Sequence, residues 1–125
     1  MTAPAPAGGV DVYWLPHCTT CQKAVKHLEE RGVPVASFRD LKAEPLTGPE
    51  VRALAAKAGG PDALFSRRAM KYRQRGLHEQ TLTDDDLVRL MAEEYTFVTR
   101  PVIVHGDRAT AGFVAKRIDA LVGGS

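Results

Sequence analysis

The sequence has no long hydrophobic run, and this absence excludes a transmembrane helix from its predicted elements. A spanning helix needs roughly 20 consecutive apolar residues, and no stretch of this chain approaches that length. The first nine residues are rich in Ala, Pro and Gly but contain no Lys or Arg, so they lack the basic start of a secretory signal. We therefore expect a disordered tail at residues 1–9, a cytoplasmic location and no membrane partner.

An excess of charge of one sign is also lacking. The chain has 17 Lys and Arg against 15 Asp and Glu, for a formal net charge of +2. A balance so close to neutral does not predict direct nucleic-acid binding. The length of 125 residues suits one compact domain, which we place at residues 10–125.

Three elements near the start of the chain predict a βαβ unit. Val10–Leu15 is a β-branched and aromatic run, which is typical of a strand. A helical pattern begins at Thr19 and stops at Gly32, and Val33–Phe38 is the next predicted strand. The intervening helix makes the two strands parallel through a right-handed crossover.

Residues 42–95 predict a mainly helical insertion. Thr47 and Glu50 have the spacing of a capping box, and the helix that they open is expected to stop at Gly59. A short helix is predicted at residues 62–66, and Thr83 is predicted to cap a further helix.

Two further strands are predicted after the insertion. Val102–Val104 predicts a buried central strand and Arg108–Ala111 a weaker one. A final helix is expected to bury Val114, Ile118 and Leu121. The order βαβ, insertion, ββα predicts an α/β protein with a thioredoxin-like fold that is split between its two halves.

The cysteines are the main candidates for chemistry. Cys18 and Cys21, which are the two cysteines of the chain, form a C-x-x-C pair between a predicted strand and a predicted helix. A helix N-terminus favours the reactive thiolate, and i, i+3 spacing brings both sulfurs to one face. We expect a redox pair with Cys18 as the nucleophile and Cys21 as the resolving thiol.

Two alternatives to a redox pair remain open. A zinc site would need further ligands, and none of the four histidines has metal-binding spacing with the cysteines, so we expect no metal. The thiols could also be inert and buried. His17 either tunes the neighbouring thiol or faces solvent.

A cluster of basic residues lies in the insertion and has two interpretations. It is either a solvated face or an anion-binding or docking surface. Its members are Arg67, Arg68, Lys71, Arg73 and Arg75.

Three segments together resemble one known family. Residues 12–24 (VYWLPHCTTCQKA) resemble the opening of the arsenate reductase and Spx family. Residues 64–68 (LFSRR) resemble its basic segment, and residues 99–104 (TRPVIV) resemble its Arg-Pro strand entry. The resemblance extends from about Val10 to Leu121 in matching order.

The resemblance implies roles for individual residues. Cys18 matches the catalytic cysteine, Arg100 the arginine that holds the oxyanion, and Pro101 a cis-proline that faces the thiol. Either Arg67 or Arg68 matches a second arginine. With Thr19 and Thr20 from the cysteine loop, Pro101 and these two arginines are expected to bind substrate.

The implied function is arsenate reduction. A guanidinium group suits the oxygens of arsenate or a similar oxyanion, and Cys21 would complete a disulfide with Cys18. No bound cofactor is expected, only an external reductant, which is thioredoxin or glutathione with glutaredoxin.

Two other functions remain open. The C-x-x-C pair also matches the Spx-like redox regulators, which would make RNA polymerase the partner through a Cys18–Cys21 switch. Those regulators tend to carry Arg after the second cysteine, where this chain has Gln22. A general disulfide reductase of the glutaredoxin type is the third possibility.

Overall fold

The computed structural model describes residues 9–123, so the tail predicted at residues 1–9 lies almost wholly outside the described residues. Four strands and six α-helices alternate along this part of the chain. They are β1 (Val10–Trp14), α1 (Thr19–Glu30), β2 (Val35–Asp40), α2 (Gly48–Ala58), α3 (Pro61–Leu64), α4 (Met70–Gln74), α5 (Asp84–Glu93), β3 (Val102–His105), β4 (Arg108–Ala111) and α6 (Ala115–Val122). Short 3-10 helices follow α4 at Leu77–Glu79 and α5 at Tyr95–Phe97.

The strands form one mixed sheet in the order β2-β1-β3-β4. β1 is parallel to β2 and antiparallel to β3, while β3 and β4 form an antiparallel pair. Val12 therefore lies between Phe38 of β2 and Ile103 of β3. This arrangement confirms the predicted α/β, thioredoxin-like fold.

Helices α1 and α6 cover one face of the sheet. Alternate residues of β1, Val10 and Val12, face them, as the period of two in a strand requires. They pack in a cluster with Ala24, Leu28, Ile103, Ile118 and Leu121. The cluster fixes the position of α1, which begins directly after Cys18 and contains Cys21.

The insertion covers the opposite face. Its helices contribute most of a second cluster, which includes Val51, Leu87 and Met91, and which packs on Val102 and Val104 of the central strand. The insertion thus completes the core on this face of the sheet. The boundaries proposed for it, about residues 42–95, and for the domain remain predictions.

Both helix caps predicted in the insertion, at Thr47 and Thr83, are confirmed. Thr47 and Glu50 form a reciprocal capping box at α2, and Thr83 forms one with Asp86 at α5. Gly59 ends α2 with a φ of 101°, a left-handed conformation that glycine adopts without a steric penalty. The local sequence therefore determines where these two helices begin, and for α2 also where it ends.

The structure differs from the predicted elements in several details. β1 ends at Trp14 rather than at residue 15, and the short helix predicted at residues 62–66 is α3, Pro61–Leu64. β2 runs from Val35 to Asp40 rather than starting at residue 33. α4 was not predicted, because its sequence is basic and lacks an apolar stripe. Val114 was expected to be buried in the last helix, but it is the extended N-cap residue of α6 and 40% exposed. The preceding Phe113 packs against the core instead.

An ion pair joins the end of β2 to the start of α2. Arg39 donates two hydrogen bonds to the Glu50 carboxylate, at 2.6 and 3.0 Å, and two more to the carbonyls of Glu44 and Pro45. The Arg39 bonds, helped by the Thr47 backbone N–H, lower the pKa of Glu50 to about 2.

We expect Glu50→Gln to make the protein less sensitive to acid. Because the pKa of Glu50 is depressed in the folded state, its contribution to stability is complete above about pH 4.5 and is lost as the pH falls towards 2. Chemical unfolding at several pH values should show a shallower loss of unfolding free energy in the variant over this window. Glu30→Gln, on the exposed face of α1, controls for removal of one negative charge. Equal slopes for wild type and Glu50→Gln would contradict the prediction.

Candidate functional site

The turn between β1 and α1 places Cys18 at the N-cap of the helix. Cys18 donates its backbone N–H to the Leu15 carbonyl at 3.0 Å and has an extended backbone conformation. The Gln22 side chain donates to the Pro16 carbonyl at 2.9 Å, which ties the first helical turn to this loop. The first N–H groups of the helix therefore lie beside the Cys18 thiol.

The two thiols have opposite pKa shifts. Burial by itself would raise the pKa of Cys18, but bonds from the Cys21 backbone N–H and thiol, the charge of Arg100 and the Thr20 N–H lower it overall. Burial raises the pKa of Cys21 to about 12, and the neighbouring Cys18 contributes to that rise. Cys18 is partly exposed and Cys21 fully buried. The pair is therefore an accessible thiol whose anionic form is favoured, beside a buried thiol that keeps its proton and donates to it.

Arg100 reaches this site from the other half of the chain. Its Nη1 donates to the carbonyl of Val98 at 3.1 Å and, more weakly, to those of Tyr95 and Thr96. Its Nε is buried and has no hydrogen-bond partner within residues 9–123. The following peptide bond, to the buried Pro101, is cis, as the resemblance implied. The backbone thus holds one side of the guanidinium and leaves other donors available.

Backbone contacts bring the basic segment of the insertion next to Arg100. Ser66 donates its N–H to the Phe97 carbonyl, and Thr99 donates to the Leu64 carbonyl, both at 2.7 Å. The Phe65 ring stacks on Phe97 with ring centroids 5.3 Å apart. These contacts close the insertion against the loop that leads into β3.

A cavity of about 740 Å³ opens at Cys18. Five of its lining side chains are cationic, and within residues 9–123 no carboxylate lines it. The cations are Lys23, Arg67, Arg68, Arg100 and Arg117; the other lining residues are Cys18, Thr20, Phe65, Ser66, Val98, Thr99, Ala111, Gly112, Phe113 and Val114. Such a lining favours an anionic ligand.

Arg67 and Arg68 both line the cavity but differ in their partners. Arg67 forms a 2.8 Å ion pair with Asp62 and lies over the Phe65 ring. The hydrogen bond that Arg67 donates to the Asp62 carboxylate is the main cause of the raised pKa of Arg67. Arg68 forms no ion pair in the part of the chain that the structure describes. Arg68 is therefore the freer of the two to bind a ligand.

Of the three other members of the basic cluster, two form ion pairs. Lys71 contacts Glu94 at 2.5 Å, and Arg75 contacts Glu93 at 3.8 Å. Both are exposed, as the solvated-face interpretation required. The cluster therefore splits into a cavity part, Arg67 and Arg68, and a surface part.

Only some of the residues that were predicted to bind substrate line the cavity. Thr20 lines it, whereas Thr19 is exposed outside it, because successive helical residues are about 100° apart. Pro101 is buried and does not line the cavity, and His17 is exposed away from it. Direct ligand contact is thus expected of Thr20 but not of Thr19 or Pro101.

Lys23 and Arg117 were missed by the sequence analysis. Lys23 is three residues after Thr20, so helical spacing could have found it. Arg117 comes from the first turn of α6, nearly a hundred residues along the chain, and no local pattern marks it. Only the packing of α1 and α6 on the same face of the sheet brings these two helices to one cavity.

Neither a metal cluster nor a membrane span is found in the described chain. Within residues 9–123, no three His, Cys, Asp or Glu side chains are grouped as metal ligands would be. No helix in the same range combines the length and the apolar character that crossing a bilayer requires.

Fold and site together define the class of protein. A mixed sheet of this order, with a C-x-x-C pair at the start of its first helix, is that of a thioredoxin-like protein with a candidate thiol-redox site. The chain belongs to the ArsC family, whose family model matches residues 13–121. The family predicted from the three motifs is confirmed.

Two relatives and one solved structure illustrate this membership. The chain is 34% identical to protein YusI of Bacillus subtilis over 104 residues, which is 81% of this chain and 87% of YusI. It is 30% identical to the global transcriptional regulator Spx of the same organism over 105 residues, 83% of this chain and 79% of Spx. An ArsC family related protein from Bacteroides fragilis superposes with a TM-score of 0.81 at 25% identity, over 90% of this chain and 97% of that one.

We expect Arg100→Gln to raise the pH at which Cys18 becomes reactive, because the variant loses the positive charge that favours the thiolate. The measurement is the rate of iodoacetamide alkylation of the reduced protein against pH, with the alkylated residue identified by mass spectrometry. Cys18 should react before the buried Cys21 in wild type, with a midpoint below that of an ordinary cysteine.

Two further variants separate charge from packing. Arg100→Lys keeps the charge and should restore much of the low midpoint, while Arg73→Gln, on the exposed surface, controls for net charge. An unchanged midpoint in a folded Arg100→Gln protein would show that this arginine does not stabilise the thiolate.

Proposed function

We propose that this protein is a thiol-dependent oxidoreductase of the cytoplasm that reduces arsenate to arsenite. The observation that carries the proposal is the Cys18 thiol, with its lowered pKa, in a cavity whose charged lining is entirely cationic within the described residues. A thiolate in an anion-binding cavity suits a reaction between a nucleophile and an oxyanion. The ArsC family membership supports arsenate as that oxyanion.

In the first step, the Cys18 thiolate attacks arsenic(V). A sulfur–arsenic bond forms, and one arsenate oxygen leaves as water after protonation. Arg100, whose Nε has no partner within residues 9–123, and Arg68 offset the negative charge of the arsenate oxygens. Thr20 adds a hydroxyl and a backbone N–H at the start of α1.

In the second step, Cys21 resolves the adduct. Its thiol loses a proton and attacks the Cys18 sulfur; a disulfide forms, the sulfur–arsenic bond breaks, and its electron pair reduces arsenic(V) to arsenic(III). The pKa of Cys21 is high in the reduced protein partly because Cys18 lies beside it. Once Cys18 is bonded to arsenic, its negative charge is gone, so deprotonation of Cys21 becomes easier.

An external thiol would then reduce the disulfide. Because Cys21 is fully buried and Cys18 is not, the incoming thiol must attack Cys18 and release Cys21. Thioredoxin, or glutathione with glutaredoxin, would supply it, and no bound cofactor enters the scheme.

The second candidate is a redox-sensing regulator of the Spx type. The 30% identity to the regulator Spx favours it, as does the C-x-x-C pair itself. A Cys18–Cys21 disulfide would then control docking to RNA polymerase rather than complete a catalytic cycle. Gln22 is bound to the Pro16 carbonyl in the cysteine loop and is uncharged, which favours the enzyme.

The test is arsenate-dependent NADPH oxidation in two coupled mixtures. One contains thioredoxin and thioredoxin reductase; the other contains glutathione, glutaredoxin and glutathione reductase. We expect Cys18→Ser to abolish turnover and Arg100→Gln to lower kcat by about 100- to 1,000-fold, the usual cost of losing one donor to a developing oxyanion charge. Cys21→Ser should stop turnover after one adduct if Cys21 is the resolving thiol.

Arg68→Gln and Arg73→Gln form a matched pair for the same assay. Arg68 lines the cavity and Arg73 does not, so the first should raise KM for arsenate and the second should not. Absence of turnover in both mixtures, from a protein whose disulfide still forms reversibly, would contradict the enzyme and favour the regulator.

A further inference from the structure

The guanidinium of Arg100 is held by one short turn of the backbone. Its Nη1 donates to the carbonyls of Val98, Tyr95 and Thr96, at 3.1, 3.4 and 3.5 Å respectively. All three carbonyls belong to the 3-10 helix Tyr95–Phe97 or to the residue directly after it. The position of the guanidinium therefore depends on the conformation of this turn.

The turn has only short-range backbone bonds of its own. Phe97 donates its N–H to the Glu94 carbonyl at 3.1 Å, and the next residue, Val98, donates to the Tyr95 carbonyl at the same distance. A 3-10 helix has poorer hydrogen-bond geometry than an α-helix, and its first N–H groups have no partner within the helix. A side chain that satisfies these groups therefore stabilises the turn.

Glu94 supplies that side chain. It is the N-cap residue of the turn, and its Oε2 accepts from the Thr96 backbone N–H at 3.3 Å and from the Thr96 hydroxyl at 2.9 Å. Its Oε1 accepts from the ammonium group of Lys71 on α4. One carboxylate thus joins the turn that holds Arg100 to the helix that follows the basic segment of the insertion.

Glu94 differs from its neighbour Glu93 in exposure and in partners. The side chain of Glu94 is 12% exposed, whereas that of Glu93 is 49% exposed. Glu93 forms surface ion pairs with Arg75 at 3.8 Å and Arg89 at 3.5 Å. A carboxylate is rarely as enclosed as Glu94 unless its oxygens have partners, and the hydrogen bond from Lys71 is the main cause of the lowered pKa of Glu94. The Glu94 carboxylate is therefore held in place by its partners.

From these contacts we propose that Glu94 is a positioning residue for Arg100: its carboxylate, anchored by Lys71, holds the turn whose carbonyls keep the guanidinium beside Cys18. Glu94 does not line the cavity at Cys18, so it acts through the guanidinium. The inference rests on the proposed function only for the role of Arg100 towards an oxyanion. The effect on the Cys18 thiolate requires no arsenate.

Direct charge and positioning predict opposite effects of removing Glu94. A carboxylate near a thiol disfavours the thiolate, so loss of its charge would by itself lower the pKa of the thiol or leave it unchanged. Loss of the turn would move the positive charge of Arg100 away from Cys18 and raise the pKa of that thiol. The direction of the change therefore identifies how Glu94 acts.

The experiment measures the pH midpoint of Cys18 alkylation by iodoacetamide in the reduced Glu94→Ala and Glu94→Gln proteins. The first variant loses both contacts of the carboxylate, whereas the second keeps an acceptor for Thr96 and loses the charge pair with Lys71. We expect the midpoint to rise by roughly 0.5 to 1 pH unit in Glu94→Ala and by less in Glu94→Gln, since a well-placed opposite charge shifts a pKa by about 1 to 3 units. If Glu94→Ala does not fold, the direction in Glu94→Gln decides.

Two comparisons isolate the path through Arg100. Glu93→Ala removes the same charge one residue earlier, from an exposed side chain, and should leave the midpoint at the wild-type value. In an Arg100→Gln background, Glu94→Ala should have no further effect on the midpoint, because the group that it positions is gone. Circular dichroism and chemical unfolding show whether each variant is folded. The other cavity cations are the same in every variant: Lys23, Arg67, Arg68 and Arg117.

An unchanged or lower midpoint in folded Glu94→Ala and Glu94→Gln proteins would overturn the positioning role, even if both proteins were less stable. An equal rise in Glu93→Ala, or a rise of the same size with and without Arg100, would overturn it as well.

The outcome is separable from that of the arsenate assay. No arsenate turnover together with the expected midpoints would contradict arsenate reduction and leave the positioning role standing. A wild-type midpoint in Arg100→Gln would overturn the positioning role, and the arsenate assay would still decide the reaction.

Discussion

The packing of α1 against the sheet is the constraint on which the site depends. Cys21, Ala24 and Leu28 lie on one helical stripe, and all three are fully buried. Because each helical residue advances about 100°, this stripe also determines which side chains at the start of the helix face the cavity. Cys18 is left at the rim, beside the free N–H groups, while Cys21 one turn later is enclosed. The contrast between their pKa values follows from that difference in burial and from their contact with each other.

The second constraint is the closure of the insertion on the loop before β3. Two short backbone hydrogen bonds and the stacked rings of Phe65 and Phe97 join these segments. Arg68 and Arg100, which are far apart in sequence, therefore line the same cavity. The insertion contributes both to the core and to the site, because it covers one face of the sheet and places two arginines in the cavity at Cys18.

Pairing separates the cations that stabilise the fold from those available to a ligand. Arg39 is held by Glu50 and by two carbonyls, and Arg67 by Asp62. Lys23, Arg68 and Arg117 have no such partners in the described chain, and all three line the cavity. A net charge of only +2 thus conceals a strongly positive cavity, because the acidic residues lie elsewhere.

The sequence by itself determined those features that depend on interactions between neighbouring residues. Hydrophobic periodicity, the Thr47 capping box and the Thr83 cap predicted the element order and the starts of α2 and α5, and the C-x-x-C spacing placed both thiols at the start of one helix. Only the tertiary structure showed that Arg117 reaches the cavity, that Thr19 does not, and that Asp62 pairs with Arg67 rather than with Arg68. The reason is that a helical pattern specifies which residues share a face, whereas the partner of that face depends on how distant segments pack. The charge around a thiol depends on that packing too, so the sequence could point to Cys18 as the candidate nucleophile but not to the full set of cations that surrounds it.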